Sequence, residues 1–320
     1  MFNLTNAKLA DVDLTNMTQL VLANIENAGI SEIKLPNSTK LMELKLNNNN
    51  IENIDLSKYA EQLVLVSMNN NKLTSFDATK FSNLRLLYLA NNQLENVDLN
   101  NNALYSIDLS GNVLKTLDVT KVPELYQLFL TNNQLSTIDL SKSSKLNILH
   151  IGMNHFRFST LPLPGKYADY QYGEQENIDI TVDDNGVVDL SSEKDVDGTP
   201  TTFRWFIDEP WYDEDTGELT GEELYVDDEY FVKDGVTTFA VALDNIVGAM
   251  LNEKFPNLTI YTNPIDVKSV SAIQGVEADD VNAPVKVYSI SGVEVGSGKL
   301  NNRGMYIVKQ GKKARTIVRN

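Results

Sequence analysis

Across its first half the chain repeats itself: the pattern L-x-x-L-x-L-x-x-N-x-L-x-x-L-D-L returns about every 21 residues. One clear unit runs Leu41, Leu44, Leu46, Asn49, Ile51, Ile54 and Leu56, and the next Leu63, Val66, Met68, Asn71, Leu73 and Phe76. Four more are centred on Leu89 with Asn92, Leu109 with Asn112, Leu130 with Asn133 and Ile151 with Asn154. Two weaker units, around Leu4 and Ile25, have Ala7 and Ala28 where Asn would stand. The inner leucines lie at period two, as on a short strand with one buried face, and the later ones need a turn to face the same axis. At roughly 1.5–3 kcal/mol per buried aliphatic side chain, one coil cannot offset its own ordering entropy, whereas a stack shares a continuous core.

The Asn column falls where each strand bends. A buried amide there can bond backbone groups that the turn leaves unpaired, coil after coil, so Asn49, Asn71, Asn92, Asn112, Asn133 and Asn154 are expected to form a structural ladder. Asp55, Asp77, Asp98, Asp118 and Asp139, after the repeat leucines, read as turn residues. These residues resemble the leucine-rich-repeat family, in the short-period form found in bacterial surface proteins such as internalins. The resemblance implies parallel strands on a concave face and short turns on a convex one. Leu161-Pro162-Leu163-Pro164-Gly165 breaks the period, and Pro cannot supply a strand amide, so the solenoid is expected to occupy residues 1–165.

From about Gln171 the pattern changes to short alternating β runs: Ile178 to Val182, Val187 to Leu190, Thr201 to Ile207, Thr237 to Leu243, Ile246 to Leu251 and Leu258 to Tyr261. Strands at this spacing suggest an antiparallel sandwich over residues 166–266 with Trp205 as its central aromatic, and the segment resembles an immunoglobulin-like domain. The last stretch, 267–320, carries Val285-Lys286-Val287-Tyr288-Ser289-Ile290-Ser291-Gly292, then Arg303-Gly304-Met305-Tyr306-Ile307-Val308, and a basic end with Lys312, Lys313 and Arg315. It resembles the C-terminal sorting domain of type IX secretion in Bacteroidetes, which implies export and surface retention. A plain terminal β cap with solvated lysines is the other reading. The expected fold is therefore mainly β and multidomain: a leucine-rich-repeat solenoid with a parallel concave sheet, an immunoglobulin-like β-sandwich and a small C-terminal β module.

Composition narrows the partners. A formal net charge of -17 disfavours sequence-independent binding to nucleic acid or anionic membrane, which reward Lys and Arg. No apolar run is long enough to insert in a membrane. Cysteine is absent, which excludes disulfides, thiolate metal sites and a cysteine nucleophile. Phe2, Leu4 and Leu9 already obey the repeat, so an export signal is expected to have been removed or never to have existed.

On the concave face the positions between the inner leucines are the ones a ligand would touch. Leu65, Leu86, Tyr88, Phe129 and Ile148 are expected to be exposed there as an apolar patch, with Asp108 and His150 beside them. The patch can equally serve to stabilise the sheet or be covered by the sandwich. His150 and His155 are the only histidines, and no further ligands or nucleophile accompany them, so no catalytic residue, metal site or cofactor is expected. In the acidic run from Asp208 to Glu218, Asp213, Asp215 and Glu218 invite a calcium reading, but Asp215-Thr216-Gly217 reads more simply as a hairpin turn. Glu222 and Glu223, as strand neighbours, point to opposite faces and cannot flank one glycosidic bond. The expectation is a non-catalytic, extracellular or bacterial cell-surface recognition protein whose ligand is a protein, such as a host extracellular protein. Surface glycan binding, or a structural spacer with no ligand, stands as the alternative.

Overall fold

The computed structural model describes residues 1–9, 11–100, 103–213, 215–268, 285–289, 294–296, 304–310 and 313–319. The chain divides into two compact units, Met1–Glu176 and Asn177–Asn320, and is mainly β throughout the described residues.

The first unit is a parallel β-solenoid. Nine short strands form one sheet in chain order: Phe2–Thr5, Leu22–Glu26, Glu43–Lys45, Leu65–Ser67, Leu86–Tyr88, Ser106–Asp108, Gln127–Phe129, Ile148–His150 and Asp169–Gln171. The middle residue of each three-residue strand stacks on its equivalent in the next coil, Leu44 on Val66, Val66 on Leu87, Leu87 on Ile107 and so on. Leu44, Val66, Leu87, Ile107, Leu128 and Leu149 are all completely buried. The step from Leu44 to Val66 is one residue longer than the next, and a 3-10 turn at Ser57–Tyr59 absorbs the difference. That turn drops Tyr59 into the core, where its hydroxyl donates to the Pro36 carbonyl at 2.6 Å.

On the opposite side of the coils, Asp11–Asp13 pairs with Glu32–Lys34 and Ser75–Asp77 with Asn96–Asp98. The turns after these segments repeat one device, in which an Asp carboxylate accepts the backbone N–H two residues on. Asp13, Asp55, Asp77, Asp118 and Asp139 do this with Thr15, Ser57, Thr79, Thr120 and Ser141, at 2.8–2.9 Å.

The sheet runs one coil past the expected end at residue 165. Asp169–Gln171 pairs in parallel with Ile148–His150. Pro162 and Pro164 do break the pattern, but they lie in the connection between the two strands, where no ladder amide is needed. Tyr167, Tyr170 and Tyr172 then stand where earlier coils have leucine. Their rings meet edge to face, 5.1 and 4.9 Å between centroids, and the Tyr170 hydroxyl donates to the Pro162 carbonyl. Burial raises the Tyr170 hydroxyl far above the ordinary tyrosine range, with the neighbouring Tyr167 and Tyr172 adding to the shift.

Among the described residues the second unit holds three sheets. Val187–Asp189, Val236–Phe239 and Tyr230–Lys233 form one antiparallel sheet with Val236–Phe239 in the middle. Thr199–Tyr212 and Leu243–Asn252 are the long central pair of a second, joined by Asp195–Val196, Leu219–Glu223, Thr259–Tyr261 and Ile265–Val267. Trp205 ties these two sheets together: it is 1% exposed, its Nε1 donates to Thr237 Oγ1 at 3.2 Å, and its ring meets Phe239 edge to face at 4.9 Å. Behind it Gly248 leaves room that no side chain could share, since a Cβ there would lie 2.8 Å from the indole.

Two strand expectations change in this unit. Ile178 to Val182 reduces to a single bridge between Ile178 and Thr262. Conversely, Leu219–Glu223 and Tyr230–Lys233 form where charge and glycine had masked the alternation, because each finds a partner strand already in place. A third sheet orders Glu294–Gly296, Val285–Ser289, Gly304–Gln310 and Lys313–Arg319, all antiparallel, with Gln310 opposite Lys313. Ile290, Ser291, Gly292, Arg303 and Lys312 lie outside the described residues.

Candidate functional site

The Asn ladder supplies the rigidity on which any binding face rests. Asn92 is representative. Its Nδ2 donates to the carbonyls of Met68, Leu89 and Ala90, and its Oδ1 accepts the Leu73 N–H from the preceding coil. Asn71, Asn112, Asn133 and Asn154 repeat the arrangement toward Ile51, Leu94, Leu114 and Leu135, and Asn49 accepts from both Ala28 and Ile30. In the last coil the role passes to Gln175, which accepts the Phe156 N–H and donates to Ile151 and Tyr172. The longer amide reaches the same groups, so a search for Asn alone misses it.

Each ladder amide is preceded by a residue in the left-handed region: Asn48, Asn70, Asn91 and Asn132 have φ of 54 to 59°, and Gly111 has 65°. Asn tolerates this conformation better than most side chains, which accounts for the Asn-Asn doublets of the sequence. Met153 and Glu174 hold the same position at φ 53° and 43° without that advantage.

The open face of the sheet carries two side-chain columns, because neighbouring parallel strands are in register about 4.8 Å apart. One column runs Lys45, Ser67, Tyr88, Asp108, Phe129, His150 and Gln171. The other runs Glu43, Leu65, Leu86, Ser106, Gln127, Ile148 and Asp169. Tyr88, Asp108, Phe129 and His150 thus sit on four consecutive strands. The His150 ring meets Phe129 edge to face at 4.8 Å and 87°, and its Nε2 shares a hydrogen bond of 2.9 Å with Asp169 Oδ2. One oxygen of Asp108 accepts the Ser110 N–H at 3.0 Å.

Two sequence expectations for this face are corrected. Leu65, Leu86, Tyr88, Phe129 and Ile148 are half-buried, not exposed, and Ser67 and Ser106 are buried. Side chains one strand apart shade one another, and small serines disappear between larger neighbours. Nor is the apolar patch continuous: Leu65 and Leu86 are adjacent, but Ser106 and Gln127 separate them from Ile148.

A further set of residues along the rim of this face went unnoticed in the sequence. Tyr105 and Tyr126 stack with their rings 5.1 Å apart and 6° from parallel. Arg85 lies 6.0 Å from the Tyr105 ring centre, and Asn147 Nδ2 donates to the Tyr126 hydroxyl at 2.8 Å. All four hold the same repeat position, immediately before a strand. The signal was the recurring Leu-Tyr of Leu104-Tyr105 and Leu125-Tyr126.

Elsewhere, Asp213 Oδ1 accepts the N–H groups of Asp215 and Thr216, which lower its pKa, and Gly217 at φ 70° completes a hairpin turn. Glu223 forms a two-point ion pair with Arg204, whose guanidinium lies over Phe206, while Glu222 is exposed. His155 is exposed and away from the His150 cluster, its backbone N–H bonded to Leu135. Among the described residues no group of three His, Cys, Asp or Glu is placed to hold a metal ion, and no helix is long and apolar enough to cross a membrane.

The fold and face define a leucine-rich parallel β-solenoid carrying an aromatic and polar column. No protein-family model matches the chain, and no curated protein matches it. Among solved structures, it is similar to the functional domain of InlJ from Listeria monocytogenes, described as including a cysteine ladder. Identity is 21% and the TM-score 0.44, over 81% of this chain and 65% of that chain's own length.

Proposed function

We propose that this chain is a non-catalytic recognition protein of the leucine-rich-repeat, internalin-like type, secreted by or held on the surface of a bacterium. Its ligand is a protein, bound adhesin-like across the open face of the repeat sheet. The observation that carries this reading is the column Tyr88–Asp108–Phe129–His150. It aligns two aromatic rings, a carboxylate and an imidazole on consecutive strands of a rigid sheet, beside half-buried Leu65, Leu86 and Ile148. Partly exposed aromatics bordered by polar groups are the usual anchors of protein interfaces, and a long open sheet provides area without an enclosed pocket. In this reading the segment after the last coil, residues 177–266, forms an immunoglobulin-like sandwich. Residues 267–320 serve as a sorting-like module tied to type IX export.

One observation favours a second reading. Asp108 stands directly between Tyr88 and Phe129 in the register, the disposition that suits stacking on and hydrogen bonding to a glycan chain.

The test is a binding screen of the whole chain against arrayed extracellular proteins and oligosaccharides, with the Tyr88→Ala/Phe129→Ala variant alongside. Protein hits that vanish in the variant support the first reading, and glycan hits competed by free oligosaccharide support the second. Absence of any specific hit leaves a structural spacer, and hits that the variant retains overturn the site and move binding elsewhere on the chain. Because both rings are half-buried, the variant's thermal midpoint is measured first; a modest fall is compatible with an intact solenoid, which circular dichroism verifies.

A further inference from the structure

The two side-chain columns of the open repeat face carry three carboxylates, and one of them is set apart. Glu43 meets Lys45 at 3.6 Å and Asp169 meets His150 at 2.9 Å. Asp108 is half-buried, and among the described residues no basic side chain lies against it. One of its oxygens accepts the Ser110 N–H, and among the described residues the other makes no hydrogen bond. A carboxylate drawn partly out of water interacts more strongly with a cation than one in bulk solvent.

The neighbours of Asp108 in the register are aromatic on both sides, Tyr88 on one strand and Phe129 on the other. Aromatic faces attract guanidinium and ammonium groups, and neighbouring strands lie about 4.8 Å apart, so two rings and a carboxylate fall within reach of one charged group. Ser106, two residues before Asp108 on the same face, is 1% exposed, and its Oγ has no hydrogen-bond partner among the described residues. It is a short side chain between Leu86 and Gln127, and it adds an unpaired acceptor beside the carboxylate.

The second unit contains the same chemistry with its cation in place. Phe206 and Glu223 are opposite in register, and Arg204 lies 5.1 Å over the Phe206 ring while its Nε donates to the Glu223 carboxylate at 2.7 Å. Asp108 has an aromatic neighbour on each side where Glu223 has Phe206. We propose that Tyr88, Asp108 and Phe129 form a cation site that takes an arginine or lysine side chain of the protein ligand. This rests on the recognition face described above and names the chemistry that face selects. The formal net charge of -17 favours the approach of a basic partner.

The test titrates acetyl-Gly-Arg-Gly-amide, its lysine and glutamine counterparts and tetramethylammonium chloride into the isotopically labelled full chain, read by nuclear magnetic resonance. The arginine or lysine peptide is expected to shift the signals of Leu86–Tyr88, Ser106–Asp108 and Gln127–Phe129 along a saturating curve, and the glutamine peptide to leave them in place. Asp108→Asn is expected to weaken this binding at least about tenfold. Its thermal midpoint should hold, because the Asn oxygen still accepts the Ser110 N–H. Raising NaCl from about 10 mM to about 1 M, which shortens the Debye length from roughly 30 to 3 Å, should weaken binding at least about threefold. Basic peptides that leave these signals in place overturn the proposal, as does a glutamine peptide that binds equally well or an Asp108→Asn variant that binds at full strength. Tetramethylammonium binding more tightly than either basic peptide assigns the site to a quaternary ammonium group and overturns the side-chain ligand. A protein from the binding screen that Tyr88→Ala/Phe129→Ala loses and Asp108→Asn keeps at full strength overturns the cation site and leaves the recognition face standing. Peptide binding that Asp108→Asn abolishes supports the cation site even where the screen finds no protein.

Discussion

Asn92 Nδ2 reaches the carbonyl of Met68, 24 residues back in the chain, at 3.0 Å, and its Oδ1 takes the N–H of Leu73 from the same preceding coil. A single 9%-exposed amide therefore closes both ends of the bend that the neighbouring coil makes. No backbone group could do this, since the chain at the bend has turned away from the ladder direction.

Replacing Asn92 by Ala leaves the Leu73 N–H and the Met68 carbonyl without these partners, inside the core. The expected loss is about 1–3 kcal/mol, the cost of a buried polar group left unsatisfied. Urea unfolding of the full chain reads it as a lower midpoint for the repeat unit. An unchanged midpoint would mean that water replaces the amide at no cost.

Met153 occupies the left-handed position that Asn fills in earlier coils, with φ 53° and its side chain 47% exposed. Little packing is at stake there, whereas the backbone conformation opposes any side chain with a Cβ. Met153→Gly is expected to stabilise the solenoid by about 1 kcal/mol, after the entropy that glycine adds to the unfolded chain is subtracted. Thermal unfolding should show a higher midpoint; a lower one would show that the thioether contributes more than its exposure suggests.

Gly248 presses against Trp205 and Thr262, whose atoms would lie 2.8 and 3.0 Å from an added Cβ. The indole is pinned by Thr237 and Phe239 and cannot retreat. Gly248→Ala is expected to destabilise the second unit by about 1–3 kcal/mol while leaving the repeats untouched. Near-ultraviolet circular dichroism, dominated by the buried Trp205, should follow the loss; an unperturbed spectrum and midpoint would show that the sheets adjust.

Acid should act through the turns. The Thr15 hydroxyl and amide pull the Asp13 carboxyl down to about 2 from the ordinary 3.8, and Asp77 and Asp118 are lowered by Thr79 and Thr120 in the same way. A carboxyl whose pKa falls on folding adds stability that is complete above the unfolded value, near 3.8, and is lost as pH drops through the folded value. Thr15→Val/Thr79→Val/Thr120→Val keeps the net charge but removes the hydroxyl donors. Its stability deficit relative to the native chain should be constant at neutral pH and shrink between about pH 4 and pH 2. A deficit that widens on acidification would contradict the assignment.

Much of the repeat unit was legible in the residues themselves. Leu44, Val66 and Leu87 face inward because a period of two inside a period near 21 leaves them no other side, and the Asn column marks the bends. Asp77 and Asp118 are turn residues because an Asp followed two residues later by Thr makes its own short-range bonds. Trp205 stands out as the large aromatic of an alternating run, and burial follows. These are local relations, and local spacing is enough to state them. The structure decided what depends on a neighbour distant in sequence. Gln175 serves as a ladder amide only because the coil ending at Gln171 stacks on Ile148–His150. Tyr88 and Phe129 are half-buried because strands about 21 residues apart bring other side chains beside them. Trp211 and Trp205 share one strand and one residue type; only the sheet packed over Trp205, and missing over Trp211, makes one a core residue and the other a surface. Periodicity along a chain states which side a residue faces, and the elements folded against that side determine what it meets.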